Sequence, residues 1–262
     1  MTNDDLKTIG SALSEAKHTL SKFTSGQIAA TLKAGGDPLT AADTELDKVL
    51  RECLCVNDDG WLSEETADDL TRLEKSRVWI VDPLDGTREF IQGINEWCVS
   101  IGLVEDGRVV ASGIYNPARD QTFLGIENGS VTLNGKRVGV STKEALDDAK
   151  VLASRSEVTR GEWERFENAP FKTVPCGSVA YKLAQVSAGL ADATFTLVPK
   201  NEWDVAAGSL LVEAAGGKVI DARGRTLTFN RKDTLLPGLI ACGPNLFNPL
   251  CEFLNLAVPG DS

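Results

Sequence analysis

The chain has 262 residues, 42% of them hydrophobic and 25% charged, with 38 acidic against 27 basic side chains and a formal net charge of −11. That composition suits a soluble globular protein of one large domain or two small ones and excludes collagenous, disordered and disulfide-scaffold classes. The acidic balance argues against nucleic acid polymers, whose backbones demand dense Lys/Arg patches. It does not exclude a small anion, because screening acts within about 8 Å at physiological salt and a bound divalent cation dominates its own neighbourhood.

The first residues, MTNDDLKTIG, are acidic and carry no basic segment followed by an apolar one. No apolar run reaches the roughly 18 to 20 residues that cross a bilayer, so a cytoplasmic location without a membrane partner is expected. From Asn3 to Phe23 the spacing of Leu6, Ile9, Leu13, Ala16 and Leu20 predicts an amphipathic helix capped by Asn3. After GGDPLT, Thr40 caps a second predicted helix with Leu46, Val49, Leu50 and Leu54 on one stripe. Between Arg77 and Val81 the run VWIV reads as a buried strand ending at Asp82.

From Trp97 to Val140, short β-prone runs separated by EDG, NPARD and NG turns predict consecutive antiparallel hairpins. The later half alternates helical patterns (GEWERFE, SVAYKLAQVSAGL, DVAAGSLLVEAAGG) with strand-like runs (KVLAS, ATFTLV, KVIDARG, LIACG), which implies layers of helix and sheet in an α/β fold. The change of character puts a boundary near residue 148, dividing the chain into 1–148 and 149–262.

Six cysteines at 53, 55, 98, 176, 242 and 251 show no zinc-ligand spacing and are expected to be reduced thiols, mostly buried. The only histidine, His18, lies in the first helical pattern, which leaves a Ser-His-Asp or Cys-His mechanism without support.

The chemistry gathers in WIVDPLDGTREF, where Asp82 and Asp85 stand three positions apart. Pro83 bars helix continuation backwards, so residues 83 to 85 are expected to turn and bring the two carboxylates together. Gly86 frees the backbone for close approach to a ligand, and TREFIQGI can open a helix whose unpaired amides face the same spot. Three other acidic places are candidates to complete the cluster: Glu64 and Glu65 in LSEET, Asp204 at the head of DVAAGSLLVEAAGG, and Asp43 in TAAD. Taken singly these are a solvated turn, a charged loop and a packed core helix; together they form an oxygen-only set of the kind that selects hard cations, Mg²⁺ above all. Four or five carboxylates in one pocket would repel by several kcal/mol at an effective ε of about 20, so the cluster should take up protons or metal.

LSEET, WIVDPLDGT and EWDVAAGSLLVEAAGG, in that order, resemble the inositol monophosphatase superfamily of Mg²⁺-dependent, lithium-sensitive phosphomonoesterases along nearly the whole chain. TREF after DPLDG resembles the CysQ-type 3'(2'),5'-bisphosphate nucleotidases within it. The resemblance implies a layered αβαβα sandwich, two or three Mg²⁺ ions per site and, as in many members, a homodimer. It implies that Glu64, Asp82, Asp85, Asp204 and the Leu84 carbonyl ligate metal. Gly86 and Thr87 match amides that bind the substrate phosphate, the Thr87 hydroxyl with Glu64 would orient the attacking water, and Asp43 matches an acidic position near the third metal or water. Asp204 also falls among the implied substrate contacts. Hydrolysis would proceed by in-line attack of metal-activated water, without a covalent intermediate.

On this resemblance the expected substrate is a small phosphorylated metabolite, adenosine 3',5'-bisphosphate, cleaved at its 3'-phosphate. Two positions depart from the nucleotidase pattern. Glu157 stands in SRSE where a His helps hold the nucleoside, and Tyr181 occupies an expected Lys position, with Lys182 following and rotated by about 100° on a helix. Arg155, Ser178 and Lys182 are candidate contacts to a sugar or second phosphate, and Arg88 and Glu89 could line the pocket edge or form a salt bridge. Inositol phosphate or fructose bisphosphate are the alternative substrates. A haloacid-dehalogenase-type phosphatase, whose paired Asp residues are spaced by two, and a catalytically silent metal- or nucleotide-binding module are the rival readings.

Overall fold

The computed structural model describes residues 3–33 and 36–256. Helix α1 (Asn3–Leu20) buries Ile9, Leu13, Ala16 and Leu20, the stripe its spacing predicts; the side chain of Asn3, expected as its cap, lies outside those described. A short hairpin of β1 (Ala30–Leu32) and β2 (Pro38–Thr40) leads into α2 (Ala41–Leu54). Thr40 caps α2 as expected: its Oγ1 accepts from the Ala42 amide at 3.2 Å, and its own amide donates to Asp43 Oδ2 at 2.8 Å. Leu46, Leu50 and Leu54 are fully buried against α1, while Val49 is half-buried.

The next strands form one seven-stranded sheet in chain order: β3 (Gly60–Ser63), β4 (Arg77–Asp85), β5 (Cys98–Glu105), β6 (Arg108–Asn116), β7 (Gln121–Ile126), β8 (Val131–Leu133) and β9 (Lys136–Val138). Only β3 and β4 run parallel; β4 onward is the antiparallel meander that the turn signals predict. Helix α3 (Thr87–Gln92) bridges β4 and β5. Because side chains alternate along a strand, Trp79 and Val81 face the α1–α2 layer while Val78 and Ile80 face the opposite side. Asp82 shares that second side with them by the same alternation, as Glu64 follows Leu62 just past β3.

The second half builds β10 (Lys150–Ser154), α4 (Arg155–Thr159), β11 (Lys172–Cys176), α5 (Val179–Ser187), β12 (Ala193–Thr196), β13 (Lys200–Asn201), α6 (Glu202–Ala214), β14 (Lys218–Asp221), β15 (Leu235–Leu236), β16 (Leu239–Cys242) and α7 (Pro244–Phe253). A mixed five-stranded sheet has the order β11-β10-β12-β16-β14. Helices α5 and α6 lie between the two sheets: one apolar cluster joins Val78, Ile80 and Phe123 to Leu183, Leu210 and Leu211 and on to Leu152, Val219 and Ala241. The far face of the second sheet packs Val151, Phe195 and Ile240 against Leu246, Phe247 and Leu250 of α7. The layers are thus α, β, α, β, α, as expected.

Two local expectations change, and two elements had no expectation. The strand does not end at Asp82: β4 continues to Asp85, with a register irregularity between Asp82, paired to Ser100, and Asp85, paired to Cys98. GEWERFE is not a helix beyond a three-residue turn at Glu164–Phe166, because Trp163 and Phe166 are drawn into an aromatic cluster with Phe195. Strand β11 and helix α7 carry prolines, Pro175 and Pro249, that hide them from a propensity reading.

Candidate active site

The irregularity in β4 builds the floor of the site. Asp82 is buried, and its Oδ1 accepts the Leu84 amide at 3.0 Å, which folds the Pro83–Leu84 step back on itself. The other oxygen, Oδ2, is buried with no hydrogen-bond partner among the described residues. Gly86 follows at φ 98°, and a Cβ there would lie 2.9 Å from the Glu96 carbonyl. Its glycine character therefore serves the turn and the closeness of the Glu96–Trp97 backbone, in addition to its place on the cavity wall.

Around that floor Glu64, Asp82 and Asp204 place carboxylate oxygens within 4.8 Å of one another. They come from three elements: the end of β3, β4, and the first turn of α6. Asp204 Oδ2 accepts the Asn201 amide at 3.0 Å and so closes the helix start. Asp85 joins the cluster electrostatically, but one of its oxygens is spoken for: Oδ2 accepts both the Ser178 hydroxyl and the Ala180 amide, each at 2.7 Å. Ser178, expected to touch substrate, thus fixes a carboxylate, and its φ of 57° at the head of α5 sets it up to do so.

Burial is the first cause that pushes Asp82 and Asp204 well above the ordinary carboxylate range, with the neighbouring carboxylates adding to it. Burial also raises Asp85 and Glu64, although Ser178 and Lys33, respectively, work against the shift. Lys33 reaches in from the residues after β1 to 2.7 Å from both Glu64 and Glu65. Glu65 is raised to about 7, by burial above all.

Asp43 is fully buried and does not line the cavity; it acts on it through Thr87. The Thr87 hydroxyl lies 3.0 Å from Asp43 Oδ1 and 3.0 Å from the Leu84 carbonyl. A cavity of about 280 Å³ opens above these groups, lined among others by Glu64, Leu84, Asp85, Gly86, Thr87, Arg155, Ser178, Lys182 and Asp204. Lys182 does point into it: buried, it donates only to the Ser178 carbonyl at 3.1 Å, while Tyr181 turns away to pack on Phe123 and reach Gln121 at 2.7 Å. Arg155 also lines the cavity but is held by Glu96 at 2.6 Å. Arg88 pairs with Asp37 at 2.9 Å on the rim, and Glu89 sits against Gly177, where any Cβ would lie 2.4 Å from its carboxyl carbon.

Glu157 does not line this cavity. It lies inside the wall, accepting Trp163 Nε1 at 3.1 Å and the Thr196 hydroxyl at 2.6 Å and pairing with Lys200 at 3.0 Å. Lys200 lines the cavity, as does Trp203, and neither was singled out from sequence. The signal for both is their place in LVPKNEWD, the eight residues that end at Asp204. The cysteines are free thiols, and none lines the cavity.

An all-oxygen trio with one orphaned buried oxygen suits a hard divalent cation, since such a group is costly to leave unmatched. A layered α/β fold that sets such a cluster between its first sheet and the start of α6 suits a metal-dependent phosphatase. The sequence profile of the Inositol monophosphatase family matches residues 5–251, and the chain belongs to that family. It is 31% identical over 241 residues to an inositol-1-monophosphatase of Rhizobium meliloti (strain 1021), covering 87% of each chain. The extragenic suppressor protein SuhB of Bartonella henselae superposes with a TM-score of 0.83 at 28% identity, covering 98% of this chain and 100% of that one. CysQ of Bacteroides thetaiotaomicron, described as a bacterial member of the inositol monophosphatase family, superposes with a TM-score of 0.77 at 26% identity over 93% and 98% of the two chains. Members of this family depend on metal, generally Mg²⁺. No helix among the described residues is long and apolar enough to cross a membrane.

Proposed function

We propose that this chain hydrolyses a small phosphomonoester with Mg²⁺ held by Glu64, Asp82, Asp85, Asp204 and the Leu84 carbonyl. The observation that carries the reading is the convergence of Glu64, Asp82 and Asp204 within 4.8 Å, with Asp82 Oδ2 unpartnered. Bound Mg²⁺ would neutralise the phosphate and acidify a water. The chain's own part is positional. Thr87, donating its hydroxyl proton to Asp43, keeps oxygen lone pairs free to accept from a water O–H and so to aim that water's remaining lone pair at phosphorus. Glu64 accepts from the same water, and the Gly86 and Thr87 amides hold phosphate oxygens. The water oxygen bonds to phosphorus as its proton passes to Glu64, the ester P–O bond breaks, and the leaving oxygen takes a proton from solvent, matching the one that Glu64 then gives back to solvent.

Adenosine 3',5'-bisphosphate, cleaved to AMP and phosphate, is the substrate we favour. TREF and the likeness to CysQ support it, and so does a second cavity of about 620 Å³ that shares Arg88, Arg155 and Lys200 with the first and adds Arg160. Inositol 1-phosphate is the second reading, favoured by the Rhizobium relative's description. A panel measuring phosphate release from these two and fructose 1,6-bisphosphate, with and without Mg²⁺, decides among them. Mg²⁺-dependent release inhibited by millimolar lithium is expected; release from none of the three would overturn the reading.

A further inference from the structure

We infer that Lys200, positioned by Glu157, holds a second anionic group of the substrate, other than the phosphate that is cleaved. The inference rests on the phosphomonoesterase reading above and adds to it the residue pair, Lys200 with Glu157, that would make a bisphosphate preferred over a monophosphate. Lys200 stands where the cavity over the carboxylate cluster meets the adjoining larger one, and it lines both. Its ammonium is anchored from behind by a carboxylate that never reaches the cavity: Glu157 is 2% exposed and already accepts Trp163 Nε1 and the Thr196 hydroxyl. Three donors on one buried carboxylate leave Glu157 little freedom, so the 3.0 Å contact to Lys200 Nζ has a defined direction. An ammonium has three N–H donors, and among the described residues Glu157 is the carboxylate within ion-pair distance of Lys200 Nζ, which leaves donors for a ligand.

The other cations of the larger cavity are less suited. The side chains of Arg88, Arg155 and Arg160 are 55%, 33% and 52% exposed, whereas that of Lys200 is 16% exposed. A charge-assisted contact gains most where water is excluded. The backbone is fixed too, through antiparallel pairing of Lys200 with Leu236.

The experiment compares kcat/KM for adenosine 3',5'-bisphosphate with that for adenosine 3'-monophosphate, which offers the same scissile ester without the second phosphate. The same ratio is taken for fructose 1,6-bisphosphate and fructose 1-phosphate, all in Mg²⁺ with the full chain. The wild type should prefer a bisphosphate. Lys200→Met should reduce that preference by about 10- to 100-fold, the range for a hydrogen bond to a charged group, expressed mainly in KM, and Lys200→Arg should retain most of it. Glu157→Gln should lower the ratio less, and should have no further effect in the Lys200→Met background. A ratio unchanged by Lys200→Met, or no preference in the wild type, overturns the inference while leaving the phosphatase reading intact. Mg²⁺-dependent hydrolysis of none of the four esters overturns both.

Discussion

Asp82 and Asp85 sit three residues apart but are held in different ways. The first keeps one oxygen free, and the second spends one on Ser178 and Ala180. Asp204→Asn should therefore lower turnover by at least about 100-fold, more than loss of an outer partner costs a metal site, with the circular dichroism spectrum unchanged; normal turnover with unchanged metal dependence would show the site to be misassigned. Ser178→Ala should weaken Mg²⁺ affinity by about 10- to 100-fold, read by calorimetry, because Asp85 loses the hydroxyl that orients it. The acidic residues of this cluster were legible because their spacing carries the chemistry. The role of Ser178 was not, since a serine before a helix reads equally as a cap, a substrate contact or a support for a carboxylate. Glu157 and Lys200 were hidden for a similar reason: their pairing spans 43 positions of chain, and no local pattern announces it.

At the level of elements, the bend in β4 and the glycine after it form one device. The register slip between Asp82 and Asp85 and the left-handed Gly86 turn the chain from strand into α3 within four residues. Gly86→Ala should cost about 1 to 3 kcal/mol for backbone strain alone, with the clash against Glu96 added, and a lowered urea midpoint would show it. The hairpins of the first sheet were readable because EDG, NPARD and NG turns bracket β-branched runs. Helix α7 contains Pro249 and β11 contains Pro175, so tertiary packing decides both against local preference: α7 on Phe195 and its neighbours, β11 through Val174 and Cys176 on the core between the sheets. GEWERFE fails in the other direction: its charges suit a helix, but burying Trp163 stops one from forming.

For the whole molecule, four raised carboxyls in one place mean that the metal-free protein stores protons. The unfolded chain releases them near the ordinary values of 3.8 and 4.5, while the folded cluster keeps them to higher pH. The unfolded state thus binds fewer protons across that window, and stability should fall as pH rises from about 4.5 through 7, the value reached by Glu65. Glu157 and Asp221, both held below their ordinary range despite burial, act only on the acid side of it, where stability is lost as pH falls. Thermal melts in chelator should show the decline toward neutral pH, and saturating Mg²⁺ should flatten it; a metal-free melting temperature that rises over the same range would refute the shared-burial account. That helix and sheet are layered was legible from the switch between hairpins and alternating helix and strand, and the five-layer order from the family resemblance, whereas the order of strands in the second sheet required its crossovers to be seen.

Helix α6 is clasped on both sides with almost no clearance. A Cβ on Gly102 of the first sheet would stand 3.3 Å from the Ala207 amide, and one on Gly208 would stand 2.5 Å from Leu183 Cβ. Since Asp204 rides on the first turn of that rod, a cation captured at its tip is a rivet through the middle of the sandwich. Amide deuterium uptake should accordingly slow upon Mg²⁺ loading in β14 and β16, strands that touch no ligand, as well as beside the ion.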